Sequence, residues 1–233
     1  MRSLLGILAF IIAMSSAPAG AALAHGSGSS GPSGMVTATP RNGADAAKSA
    51  YNAGVRDIKR AQEYDADSAK ASTPEKAAKA HEKAQKAYHD SLGSFIEAVG
   101  ADPKMYAAWN YLGFANRHLG NYEDALSSYA KALEINPNYP DAIEYRGEAY
   151  LGLNQIEDAK NAYMALFSAS RPLADELMVA MHHWADARRQ DSQGLPSADV
   201  EAFTKWMNER AGVAAQTASL AIGGAQPWRP GLR

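Results

Sequence analysis

Tyr106–Tyr139 reads YAAWNYLGFANRHLGNYEDALSSYAKALEINPNY, and its punctuation decides the fold. Upstream, Asp102-Pro103 is a helix start signal, since proline at a first helical position loses no hydrogen bond. A first helix is therefore expected from about residue 103 to residue 119. Ala108, Trp109 and Leu112 share one of its faces, and Gly113 and Ala115 are small enough to let a second helix come close. Gly120-Asn121 ends it, because these residues tolerate the left-handed conformation of a helix C-terminus. Tyr122 opens a second helix, whose apolar stripe is Ala125, Tyr129, Ala132 and Leu133. Asn136-Pro137 stops it, since the residue before proline is pushed out of helical geometry. A single hairpin of this kind cannot bury its own apolar face and needs neighbours stacked on it.

Those neighbours are in the sequence. Residues 140–168 repeat the pattern 34 residues on, with Gly147, Tyr150, Asn154, Ile156, Ala159, Tyr163 and Leu166 near the matching places and Ile143 in place of the tryptophan. Upstream, Tyr88, Ser91, Phe95, Ala98, Val99 and Pro103 match the second half of a unit, while Pro74–Lys86 lacks the aromatic and glycine positions of a first half. This spacing resembles the tetratricopeptide repeat, a helix-turn-helix unit of about 34 residues. The resemblance implies an all-α fold: a short α-solenoid of stacked hairpins with flanking helices at both ends. Residues 72–105 are then a degenerate repeat, 106–139 a full one and 140–168 a second.

The rest of the chain fits around this array. Of the 233 residues, 46% are hydrophobic, enough for a sizeable core. Residues 1–24 read as a secretory signal peptide: a basic start at Arg2, the apolar run Leu4–Met14, and Ala22-Leu23-Ala24 as a small-x-small cleavage site. The run is shorter than the ~20 residues that a bilayer span needs. Residues 25–43, rich in Gly, Ser and Pro, form a flexible linker. An alanine-rich helix over 44–71 should bury Ala47, Tyr51, Val55 and Ile58 on one face. Thr73-Pro74 starts the next. Leu173, Leu177, Met181, Trp184, Phe203 and Trp206 mark capping helices over 169–222, and 223–233 is a disordered tail. The chain has no cysteine, so neither a disulfide nor a cysteine-linked lipid anchor is expected. An exported protein, periplasmic first and secreted second, is the expected localisation. The formal net charge of −2 shows no basic excess that would suit nucleic acid.

Catalytic patterns are missing: no G-x-S-x-G, no phosphate loop, and no second histidine to complete a zinc motif at His81-Glu82. His182-His183 point to different faces of one helix, and His25 sits in the linker. No metal site, catalytic residue or cofactor is expected. The repeat resemblance instead implies a concave groove that binds a protein or peptide. Its lining falls on Ala107, Asn110, Phe114, Arg117 and His118, and then on Asp141, Glu144, Glu148 and Leu151. The acids lie at spacings of three and four on one helix face, which would favour a basic or neutral partner segment. A groove this short buries modest area, so a large partner or homo-oligomerisation would be needed to strengthen it. The expected function is a non-catalytic adaptor or scaffold of the bacterial cell envelope. The alternative is an accessory ligand- or metal-binding periplasmic protein.

Overall fold

The computed structural model describes residues 43–223, with side chains to 217. The expected leader, almost all of the linker, and the tail from residue 224, with His25 and Trp228, lie outside them. Eight helices make up the described residues: α1 (Gly43–Ala69), α2 (Pro74–Ala101), α3 (Tyr106–His118), α4 (Tyr122–Ile135), α5 (Pro140–Gly152), α6 (Ile156–Ala169), α7 (Arg171–Gln190) and α8 (Ser197–Gly223). They pair in sequence order as hairpins. Helix α3 also touches α1 and α5, and α5 touches α7, so the odd-numbered helices share one face of the stack. This is an all-α solenoid.

The 34-residue period is visible in the bonds that close the hairpins. After α3, Asn121 N donates to Asn116 O at 2.9 Å, and after α5, Gln155 N donates to Tyr150 O at 2.8 Å. The residue inside each of these turns has positive φ: Gly120 at 80° and Asn154 at 60°. Glycine adopts that conformation freely, and asparagine tolerates it better than other side chains.

The period also fixes the packing. Phe95, Tyr129 and Tyr163 lie 34 residues apart and are all buried. A Cβ at Gly113 would stand 2.6 Å from the Tyr129 ring, and one at Gly54 would stand 2.7 Å from Phe95. The close approach expected at Gly113 is therefore real, and α1/α2 uses the same glycine-on-ring contact.

That contact corrects the boundaries of the first repeat. Residues 72–105 do not fold as a helix-turn-helix. Residues 74–101 form one uninterrupted helix, capped by the Thr73 hydroxyl, which accepts from Lys76 N at 3.4 Å. The run EKAAKAHEKAQKAYHD contains no turn residue, and its high helix propensity carries α2 straight through. Its partner is α1, antiparallel to it. Ser68 Oγ donates to Ala77 O at 2.9 Å at one end of the pair, and Gly43 approaches Ala101 at the other. The buried α1 stripe is Ala47, Ala50, Gly54, Ile58 and Ala61, with Tyr51 and Val55 at its margin.

Helix α3 begins three residues later than expected, at Tyr106. Asp102 serves as the stop for α2: its backbone is extended at φ −140°, and its carboxylate accepts from Lys104 N at 3.0 Å. The carbonyl of Pro103 accepts from Trp109 Nε1 at 2.9 Å, which ties the loop to α3. At the other end, Trp184 packs edge-on against Phe203 at 5.5 Å, and Leu177, Met181 and Met207 complete a core that closes the stack.

Candidate functional site

The face shared by α1, α3, α5 and α7 is the candidate binding surface. The 34-residue register makes Ala107 and Asp141, Asn110 and Glu144, Tyr111 and Tyr145, Phe114 and Glu148, and Arg117 and Leu151 equivalent positions, while the contacts between α3 and α5 join residues 31 apart, Arg117 with Glu148 and Phe114 with Tyr145. The middle of this face is a polar cluster laid on aromatic rings. Arg117 on α3 is ion-paired with Glu148 on α5, their side chains only 12% and 16% exposed. The guanidinium lies over Phe114 at 5.3 Å and over Tyr145 at 5.4 Å. Burial alone would lower its pKa, yet Glu148, Tyr129 and Glu144 outweigh burial and hold it above the ordinary value.

The expectation of a free acidic face on α5 is corrected. Glu144 is buried at 3% exposure. Burial first, and then the adjacent Glu148 carboxylate, push its pKa well above the usual carboxylate range, against the pull of Arg117. Glu148 is taken up by its ion pair with Arg117. Asp141 is half-buried in the first turn of α5. The physical reason is the stacking itself: α3 and α7 flank α5 and enclose the middle of its inner face.

The other expected lining residues divide by depth. Ala107 is half-buried at the surface. Phe114 and Leu151 are core, and Asn110 is 1% exposed, its amide oxygen without a hydrogen-bond partner among the described residues. His118 turns to the α2/α3 interface. It stacks on Tyr88 at 4.4 Å and 18°, with Phe114 also at 4.4 Å. Burial, and then Arg117, hold its pKa well below 6.5.

Five tyrosines were not expected at this face. Tyr111 and Tyr145 follow Phe114 in a continuous aromatic row with Tyr51 of α1. Tyr106 and Tyr139 pair beside them at 5.0 Å. The 34-residue register was the signal that could have found the first two, because Tyr111 and Tyr145 occupy one repeat position.

His182 is half-buried and His183 exposed on α7. Among the described residues no group of three or more His, Cys, Asp or Glu side chains is placed to hold a metal, and no helix is long and apolar enough to cross a membrane.

Comparison with known families gives two matches, each described as a tetratricopeptide repeat: one over residues 106–139 and one over residues 128–161. The first has the bounds of the α3/α4 unit. The second is offset and joins the end of α4 to α5 and the start of α6. A search of curated proteins finds no match to the chain. Residues 106–161 match tetratricopeptide repeats, and the described residues around them form an all-α solenoid of that type.

Proposed function

We propose that the protein is a non-catalytic adaptor of the bacterial cell envelope that holds a segment of another protein on the face formed by α1, α3, α5 and α7. The observation that carries this reading is the Arg117–Glu148 pair. It fixes two successive repeats against each other, so the rings and carboxylate around it form a preorganised surface, and preorganisation lowers the entropic cost of binding. Repeat matches over α3 and α5 of this face support a protein partner. Export is supported by the basic start, the apolar run and the Ala22-Leu23-Ala24 site. The half-buried tyrosines beside Asp141 favour a partner segment that is neutral or basic.

The test is an affinity pull-down from an envelope extract with the exported chain and an Asp141→Lys/Tyr145→Ala control. Circular dichroism verifies that the control is folded. A partner that is retained by the native chain and lost from the control supports the reading, and equal retention moves the site off this face. The mass of the exported protein checks the leader: a chain starting at His25 is expected, and a chain that keeps residues 1–24 overturns cleavage.

A further inference from the structure

Trp228 lies outside the described residues, in the stretch Gln226-Pro227-Trp228-Arg229-Pro230. A tryptophan carries roughly 200 Å² of mostly apolar surface, which favours a covered position over water. Where this stretch can go is set by α8. That helix runs back along α7: Arg189 Nη2 donates to Thr204 Oγ1 at 2.6 Å at one end, and Arg171 Nη1 donates to Thr217 Oγ1 at 3.5 Å at the other. Thr217 is therefore level with the first residue of α7. The helix ends at Gly223, about 9 Å further at 1.5 Å per residue. Trp228 follows five residues after Gly223. Five residues reach about 17 Å, and neighbouring helix axes are about 8 to 10 Å apart, so the indole can return to the first turns of α7.

The surface of α7 at that place is open. Asp175, Val179 and His182 share one helix face at i, i+4 and i+7. Asp175 and the adjacent Glu176 are exposed, and Val179 is 40% exposed. Val179 holds the repeat position of Tyr111 and Tyr145, whose rings pack on Phe114 at 6.3 and 5.1 Å. Among the described residues no helix follows α8 to flank α7, and no ion pair engages Asp175 or Glu176. Arg171, one turn before Asp175, is turned to the Phe167 ring at 3.9 Å and to Thr217. Residues 224–233 carry the complementary charge, Arg229 and Arg233 with no acidic side chain.

We infer that residues 226–230 dock on α7 of their own chain, with Trp228 on Val179 and Arg229 beside Asp175 and Glu176. Two features lower the cost. Pro227 and Pro230 fix their own backbone angles and hold Gln226 and Arg229 extended, so less freedom is lost on docking. The short tether gives an effective concentration in the millimolar range, so a contact too weak between separate molecules is filled within one chain. The docked stretch covers the α7 end of the face assigned above to a partner segment, and that partner must displace it. Docking itself involves this chain alone and does not depend on the adaptor reading.

The experiment compares NMR spectra of the full chain with those of a chain ending at Gly223. Nuclear Overhauser contacts between the Trp228 indole and the Val179 methyls are expected in the full chain. Removing residues 224–233 should shift the amides of 175–182 and leave those of α1 unmoved. A peptide of residues 224–233, added to the shortened chain, should restore those shifts with half-saturation at about millimolar concentration. Asp175→Lys should weaken the peptide about five-fold, and an Arg229→Glu peptide should recover most of that loss, which a folding defect would not allow. A Trp228→Ala peptide should not saturate. No shift at 175–182 on removal, peptide shifts centred on another helix, or equal binding of the Trp228→Ala peptide overturns the docking. Trp228 contacts that vanish on dilution and appear between differently labelled chains overturn it in favour of a second copy. In the pull-down, the shortened chain should capture more partner than the full chain, and capture that does not rise overturns the competition. Capture by neither chain, with the Trp228 contacts present, sinks the adaptor reading alone.

Discussion

Glycines in this chain do opposite jobs, and substituting them separates the two. At Gly113 a Cβ would meet the buried Tyr129 ring at 2.6 Å. Gly113→Ala should therefore cost about 1 to 3 kcal/mol, because overpacking outweighs the gain in helix propensity. Gly93 sits inside α2 with nothing within 4 Å of its Cβ position. Gly93→Ala should stabilise by about 0.5 to 1 kcal/mol. Urea midpoints of the two variants check both signs. Two buried ionisable groups shape the pH profile. His118 is held neutral, with its pKa well below 6.5, so the unfolded chain binds a proton that the folded chain refuses. Stability from this group is lost as pH falls below about 6.5. Glu144 acts in the other direction. Its folded pKa is raised well above 4.5, so the stability it confers is complete below 4.5 and declines as pH rises through the folded value. His118→Phe should flatten the acid limb of urea midpoint against pH, and Glu144→Gln should flatten the limb on the rising side. If both variants keep the native profile, these two groups do not set it.

Between elements, the Arg117–Glu148 pair ties α3 to α5. Glu148→Gln leaves a guanidinium enclosed without its counter-charge and should cost about 3 kcal/mol. Replacing both partners, as Arg117→Met/Glu148→Leu, should recover most of that loss, since two apolar side chains need no desolvation of charge. A double variant as unstable as the single one would show that the pair does more than balance itself. The element scale is also where reading the sequence met its limits. The hairpins at 106–168 were legible because Gly120-Asn121, Asn136-Pro137 and the apolar stripe act within a few residues. The first hairpin was misplaced because α2 was recognised from Tyr88, Phe95 and Ala98, while its partner was sought over residues 74–86, which belong to α2 itself, and lies upstream in α1. Two helices of 27 and 28 residues break the period although they keep the glycine-on-ring contact. The register named candidate positions on α3 and α5, but their depth was not legible. Asn110, Glu144 and Leu151 are enclosed by flanking helices that a single helix pattern does not describe. The pair itself joins positions 31 apart, off the repeat period, and emerges only on stacking.

For the molecule as a whole, stability runs along the stack, each hairpin covering the next. The end units therefore matter more than their distance from the proposed site suggests. Phe203 of α8 is fully buried against Trp184 and closes the last apolar layer. Phe203→Ala should cost about 3 to 5 kcal/mol and leave α7 without its cover. Hydrogen exchange checks where that loss is felt: protection should fall first in α7 and α6 and least in α1 and α2. A uniform fall along the chain would mean that the array unfolds as one unit.

The same ion pair gives the two repeats a fixed order along the chain. Had they remained plain copies, either could precede the other. Arg117 stands where the later copy has Leu151, and Glu148 stands where the earlier copy has Phe114. Exchanging the copies would set a leucine opposite a phenylalanine at that junction. The two repeats are thus halves of one unit whose order cannot be exchanged without losing the pair that joins them.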